Sequence, residues 1–226
     1  MSQSLRTKAI VLRRTNYGEA DRILSVITPD NGRLSVMARG VRKEKSRLAG
    51  GIELFAICDI VVHLGKRDID TLTGSKMNKF FAQIMTNYDR LQFGYEVLKQ
   101  IAKASETINE PDFYVLTEEC LGALDNLKID LGIVQTWFYL RLAELLGSGL
   151  NTATDASGMK LVEDAKYNFD TTDQTFIFHE QGQYTSEHIK ILRLMTRNSP
   201  EIIAKISDIN EYLPDCLRLA MIVAKI

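Results

Sequence analysis

The sequence lacks the features by which secreted, membrane-spanning and disulfide-rich proteins are recognised. Its 226 residues include only three cysteines, Cys58, Cys120 and Cys216, which lie far apart among apolar residues. They are predicted to be small core residues in a reducing compartment and not a disulfide framework. Apolar runs are short, and the first six residues show no apolar segment typical of a secretory signal. We therefore expect a soluble, cytoplasmic protein.

Motifs that would indicate an enzyme are also missing. There is no glycine-rich phosphate loop ending in Lys-Ser or Lys-Thr, no GxGxxG and no His-Glu-x-x-His. The three histidines, His63, His179 and His188, have no evident nucleophile or ligand partner and are interpreted as structural. We assign no catalytic residue and no metal ligand, and predict that the protein is not an enzyme. A hydrolase is kept only as the last of three functional hypotheses, and the other two are given below.

The formal net charge of −1 conceals two parts of opposite sign. Residues 1–79 contain 15 Lys and Arg against 8 Asp and Glu, whereas residues 80–226 contain 13 against 21. A basic part joined to an acidic part favours separate partners for each, because local fields guide encounter. A chance imbalance of solvated charges is the alternative.

The basic part has the short, alternating apolar runs of an antiparallel sheet. A tight turn is predicted at residues 29–32, where Pro, Asp, Asn and Gly follow one another. Five strands suit a small barrel of the OB type. The candidate strands are residues 8–13, 22–28, 33–38, 52–64 and 69–73.

The apolar spacing becomes helical from about residue 80. Residues 147–182 are predicted to be an inserted loop or small ribbon, with strand-like pieces at 167–169 and 176–178. The fold class is therefore α+β, with an OB-type nucleic-acid-binding domain over residues 1–79 and a mainly helical domain over residues 80–226. The candidate helices are residues 84–102, 113–127, 131–146, 186–197 and 209–223.

The densest run of cations is the candidate binding site. Such a cluster neutralises phosphates and releases counterions, which gives sequence-independent affinity for nucleic acid. Strand alternation places Arg33 and Arg39 on one exposed face, and glycines frame a following loop that is predicted to be flexible. Glu44 is the only acid within the run, whose six cations are Arg33, Arg39, Arg42, Lys43, Lys45 and Arg47.

Aromatic residues, which single-strand binders use as stacking platforms, are scarce in the basic part. Tyr17, beside a turn predicted at Gly18, could stack on a base, whereas Phe55 is interpreted as core. Binding dominated by phosphate contacts is therefore expected. The bland alternative, a loop that is merely solvated, stays open.

Several strings in the chain resemble the bacterial recombination mediator RecO. They are residues 7–14 (TKAIVLRR), 16–23 (NYGEADRI), 28–34 (TPDNGRL), 38–42 (ARGVR) and 45–48 (KSRL). Over the helical part only the pattern agrees, including residues 137–142 (WFYLRL). Gly18, Glu19 and Asp21 also match and are expected to shape the turn between two strands.

The resemblance implies an OB fold followed by a helical domain, acting in recombinational DNA repair at the bacterial nucleoid. RecO proteins bind single- and double-stranded DNA, anneal complementary strands, engage the tail of single-strand-binding protein, and join RecR to help load RecA. DNA contact is carried over to the matching positions Arg33, Arg39, Arg42 and Arg47. A second hypothesis makes the chain chiefly an adaptor, whose acidic helical domain docks protein partners.

One departure from that family concerns zinc. Many RecO-like proteins carry four cysteines in two pairs after the helix that ends here near Gly147. This chain has no cysteine between residues 147 and 182, where residues 155–158 (DASG) occupy the corresponding region. Four-thiolate zinc is therefore excluded by ligand count, and we predict no bound zinc and no other cofactor.

Overall fold

The computed structural model describes residues 4–65 and 69–225. The chain divides into two compact units, Met1–Asn126 and Leu127–Ile226. The helix–strand content confirms the predicted α+β fold. No helix in the described ranges is long and apolar enough to cross a membrane.

The first unit begins with a closed five-stranded barrel. Its strands follow the order β1-β2-β3-β5-β4, and every neighbouring pair is antiparallel except β3 and β5, which run parallel. This confirms the predicted OB-type barrel. The strands are β1 (Ser4–Tyr17), β2 (Asp21–Thr28), β3 (Gly32–Ala38), β4 (Ala56–His63) and β5 (Asp70–Phe80).

Three strands differ clearly from the sequence prediction, and β1 extends four residues beyond the predicted 8–13 at each end. β4 begins at Ala56 and not at residue 52, because Ala49–Gly51 form a turn of 3-10 helix and Phe55 has a left-handed φ of 56°. Phe55 is nevertheless buried, as predicted. β5 is longer than predicted and pairs with the full length of β4, from Ala56↔Phe80 to His63↔Thr71.

β1 and β2 are buried on both faces at their centres. Ala9, Val11 and Val26 lie in the barrel core, whereas Ile10 and Ile27 are fully buried outside that core cluster. Both strands contact the helices that follow the barrel. The near-continuous apolar run in β1 therefore reflects two layers of packing, one inside the barrel and one against helices.

Two helices complete the first unit: α1 (Tyr88–Ala104) and α2 (Asp112–Asp125). The Asn87 side chain caps α1 by accepting a hydrogen bond from the Arg90 amide at 3.0 Å. The buried Arg90 guanidinium donates to the Leu124 carbonyl at 2.8 Å and so joins the start of α1 to the end of α2. The boundary suggested by the sequence, between residues 79 and 80, thus coincides with the end of β5 and lies inside this unit.

The second unit consists of helices around a two-stranded ribbon. The ribbon confirms the insert predicted from two strand-like pieces. Trp137 and Phe138 of the first helix are buried, and the Trp137 indole donates to the Asn198 carbonyl at 3.0 Å. The elements are α3 (Leu131–Leu145), β6 (Tyr167–Asp170), β7 (Thr175–Phe178), α4 (Ser186–Arg197), α5 (Pro200–Ile203) and α6 (Leu213–Val223).

Aromatic side chains pack against one another within this insert. Tyr167 meets Phe176 edge to face with ring centroids 6.2 Å apart, and Phe176 meets Tyr184 at 5.9 Å. Asp155 closes the preceding turn by accepting from the amides of Ser157 and Met159. Across residues 4–65 and 69–225, no group of three or more His, Cys, Asp and Glu could hold a metal ion.

The three cysteines are buried free thiols, as predicted. Burial raises the pKa of Cys58 to about 11 and that of Cys216 to about 12. These thiols therefore stay protonated at neutral pH and are poor nucleophiles. His188 is also buried, caps α4 together with Thr185, and has a pKa lowered by its desolvation.

Candidate nucleic-acid interface

The segment after β3, named here the basic loop (residues 39–47), is attached to the start of β2. The Gly40 amide donates to the Asp21 carboxylate at 2.6 Å, and the Arg42 amide donates to the Ala20 carbonyl at 2.9 Å. Val41, between them, is only 3% exposed and belongs to the barrel core. This alternation turns Val41 inward and leaves Arg42 exposed.

The basic loop is also attached at its far end. The Ser46 amide donates to the Lys43 carbonyl at 3.0 Å, which closes a turn. The Leu48 carbonyl then accepts from the Ser75 hydroxyl of β5 at 3.0 Å, and Ile52 is 1% exposed in the core. The sequence predicts a flexible loop, but the structure shows a series of turns held to the barrel at both ends.

The cationic side chains of the basic loop point into solvent. All five of them are exposed. Within the part of the chain that the structure describes, Arg39, Lys43, Lys45 and Arg47 make no side-chain hydrogen bond or ion pair. The Arg42 guanidinium makes one contact, donating to the Gly18 carbonyl at 3.3 Å. The turns of this loop therefore present cations that have no carboxylate partner among the described residues.

Tyr17 lies next to this loop. It ends β1, pairs with Asp21 across the hairpin, and is 55% exposed. The hairpin turns at Gly18, whose φ of +57° is a conformation that glycine adopts without strain. Because Arg42 contacts the Gly18 carbonyl and Gly40 contacts Asp21, the fold brings the predicted stacking residue beside the predicted phosphate contacts.

Arg33 is placed differently from the other predicted contacts. It lies near the start of β3, whereas Arg39 follows its end, and the six residue steps between them span about 20 Å of extended chain. Its guanidinium donates to the Ser25 hydroxyl at 2.9 Å and lies 3.5 Å from Glu106. Only 27% of its side chain is exposed. The structure therefore does not bring Arg33 together with the basic loop.

The end of the barrel at Arg33 is covered by the segment after α1. The Asn109 side chain accepts from the Arg33 amide at 3.2 Å. It also fills the space beside Gly32, where a Cβ atom would lie only 1.7 Å from the Asn109 oxygen. The two barrel ends thus differ: one is closed by α1 and its following segment, and the other carries the basic loop and Tyr17.

Sequence reasoning missed the link between Asp21 and the basic loop. The sequence predicts only that Asp21 shapes the turn between the first two strands. In the structure Asp21 also accepts from the Gly40 amide, while the Arg22 guanidinium donates to the Asn16 side chain across that hairpin at 3.1 Å. An acid at a strand start and a glycine just after a later strand are the only sequence signals of this contact.

A closed five-stranded barrel with this strand order defines the OB class, whose members include many oligonucleotide-binding domains. The resemblance to the RecO family is confirmed. Residues 1–81 match the family described as "Recombination protein O N terminal".

Relatives named DNA repair protein RecO extend this similarity beyond the barrel. The protein from Dehalococcoides mccartyi is 36% identical over 143 residues, which are 63% of this chain and 56% of that protein. The protein from Rubrobacter xylanophilus is 33% identical over 142 residues, 63% of this chain and 57% of that protein. The chain thus spans little more than half the length of these relatives. A match to Alkaliphilus metalliredigens is longer and weaker, 25% identical over 94% of this chain and 89% of the relative.

Proposed function

We propose that this chain is a DNA-binding recombination mediator of the RecO type and not an enzyme. It binds single- and double-stranded DNA, anneals complementary strands, and assists RecA loading together with RecR. The observation that carries this proposal is the ordered basic loop, in which five exposed cations stand on an OB-type barrel that matches the RecO N-terminal family. We place this function in the cytoplasm, at the bacterial nucleoid.

The basic loop contacts the DNA backbone. Each Lys or Arg that neutralises a phosphate releases counterions, so affinity comes without base-specific contacts. Anchoring through Val41 and through the Leu48 carbonyl lowers the entropy cost of binding, because the loop backbone is already ordered. Tyr17 adds a ring on which one base stacks.

We propose that the DNA-binding region is shorter than the compact unit in which it folds. The DNA contacts lie within residues 1–79, whereas the compact unit that carries them extends to Asn126. Arg33, which belongs to the same run in the sequence, acts mainly by holding Ser25 and Glu106. Its direct contribution to DNA affinity is smaller than that of any cation in the basic loop.

Protein partners form a second part of the proposal. RecR and the tail of single-strand-binding protein dock on this chain, and RecA is reached indirectly. One groove in the first unit suits an acidic peptide with an apolar end. It is floored by Leu12, Leu98 and Ala102, and Lys99 and Lys103 stand at its rim. Lys99 also pairs with Glu96 at 3.2 Å.

The experiment that tests the main proposal is a fluorescence-anisotropy titration of the whole chain with labelled single-stranded DNA at about 50 mM salt. Wild type should bind, and the triple variant Arg39→Ala, Arg42→Ala, Arg47→Ala should bind at least tenfold more weakly. The matched control Lys160→Ala, Lys166→Ala, Lys205→Ala removes three exposed cations from the second unit and should bind as wild type. No binding by wild type would reject the proposal.

An adaptor function is the alternative, and the same variants address it. If the basic-loop variant lost DNA binding but kept full mediator activity and partner capture, the adaptor hypothesis would be favoured. We expect mediator activity to fall with DNA affinity.

A further inference from the structure

A second basic surface lies on the exposed face of β1, β4 and β5. Cross-strand pairing aligns Lys8 with Asp59 and Asp59 with Lys76, and in the neighbouring row Arg6 with Val61. Arg6, Lys8 and Lys76 are all exposed. Three cations therefore share this face with one carboxylate.

The centre of this face is a shallow groove. Gly74 pairs with Val61, so no side chain rises from β5 at that position. Arg6 and Lys8 stand on the β1 side of the groove, and Lys76 stands on the β5 side. Glycine inside a strand often marks a place where a ligand or another backbone approaches closely.

The groove contains more cations than cross-strand pairing with its acid requires. A cross-strand ladder of opposite charges stabilises a sheet by pairing one cation with one acid. Asp59 is the only acid among the described residues that line the groove, and its carboxylate also accepts from the Asn78 amide at 3.2 Å. Arg6 faces Val61 and has no acid across the strand. The face thus carries an excess positive charge that suits a polyanion.

The groove is connected to the basic loop. The Ser75 hydroxyl of β5 donates to the Leu48 carbonyl at 3.0 Å, which ties the end of the loop to the strand that borders the groove. Arg47 and Lys76 each lie one residue from this hydrogen bond along the chain. One hydrogen bond therefore joins the end of the basic loop to the strand that borders the groove.

We propose that single-stranded DNA bound at the basic loop continues across the β1–β4–β5 face, where its phosphates contact Arg6, Lys8 and Lys76. This inference rests on the proposed function and adds a second segment to its binding site. A short oligonucleotide fills the basic loop alone, and a longer one reaches the groove as well.

The test compares the whole chain with the triple variant Arg6→Gln, Lys8→Gln, Lys76→Gln, using thymidine oligonucleotides of about 8 and about 30 nucleotides, a span chosen around the site sizes of OB folds. The variant should bind the short oligonucleotide as wild type and the long one about tenfold more weakly. Its salt slope for the long oligonucleotide should fall by about 2, since each lost phosphate contact removes about 0.7. Lys160→Gln, Lys166→Gln, Lys205→Gln is the matched control and should change neither value.

The outcomes separate the two proposals. Unchanged affinity and slope for the long oligonucleotide would overturn the groove while leaving the basic loop in place. Equal losses for both lengths would also overturn it, because the groove would then not be a later segment of the path. If wild type bound neither oligonucleotide, the proposed function itself would fail. Unchanged circular dichroism and thermal midpoint confirm that the variant is folded.

Discussion

Arg33 near the start of β3 and Arg39 just after its end belong to the same basic run, yet their surroundings differ. Arg33 is hydrogen-bonded to Ser25 and paired with Glu106 at the covered end of the barrel. Arg39 projects unpaired, among the described residues, at the other end. Whether a cation is free to contact DNA therefore depends on its contacts with residues far away in the sequence. The density of charge along the chain does not decide it.

The largest expected effect comes from removing the cover at the Arg33 end. A fragment ending at residue 79 loses α1 and α2, which exposes apolar side chains such as Ile10 and Ile27. It should not show a cooperative thermal transition, whereas a fragment ending at Asn126 should. Calorimetry of the two fragments measures whether each unfolds in a cooperative transition. A cooperative melt of the shorter fragment would show that the barrel end needs no cover.

The next prediction contrasts the two arginines directly. Arg39→Ala should weaken single-stranded DNA binding several-fold and lower the salt slope by about 0.7. Arg33→Ala should change DNA affinity little, and should destabilise the fold by about 1 kcal/mol through the lost hydrogen bond to Ser25 and the lost ion pair with Glu106. Anisotropy titration and chemical denaturation of both variants are the measurements. The reverse pattern would mean that Arg33 contacts DNA and Arg39 does not.

An effect of at least comparable size on DNA affinity is expected at Tyr17, because it supplies one stacked base. Tyr17→Ala should cost about 1 to 3 kcal/mol of binding free energy, whereas Tyr17→Phe, which keeps the ring, should bind as wild type. The same titration provides the readout. Equal losses in both variants would point to the hydroxyl group and argue against stacking.

The smallest effect is expected from loosening the basic loop without removing a charge from it. Asp21→Ala deletes the acceptor of the Gly40 amide and should make that amide exchange faster with solvent. DNA affinity should fall about two- to threefold, because binding must then order the loop. Hydrogen exchange and anisotropy on the same sample check both parts. Faster exchange with unchanged affinity would show that order in the loop is irrelevant to binding.

Much of the architecture was predictable because it follows from local sequence patterns. The alternation of apolar and polar residues in the first eighty residues indicates five strands. The stretch after Gly147 contains two strand-like pieces that form the β6–β7 ribbon. The five cations of the basic loop were also predictable as exposed, since no apolar pattern surrounds them.

The contacts that decide which cations are held by other residues and which stay exposed were not predictable, because they join residues far apart in the chain. Asn109 reaches the Arg33 amide across 76 positions, and Ser75 reaches Leu48 across 27. Order in the basic loop follows from buried Val41 and Ile52, whose packing is visible only in the closed barrel. The second basic surface was missed for the same reason, since Arg6, Lys8 and Lys76 meet through strand pairing.

The central claim is that the basic loop carries the phosphate contacts. The most direct test is the slope of log affinity against log salt for single-stranded DNA, measured between about 50 and 200 mM salt for wild type and for Arg39→Ala, Arg42→Ala, Arg47→Ala. A steep slope is expected for wild type and a slope reduced by about 2 for the variant. Identical slopes would show that the three arginines make no phosphate contact.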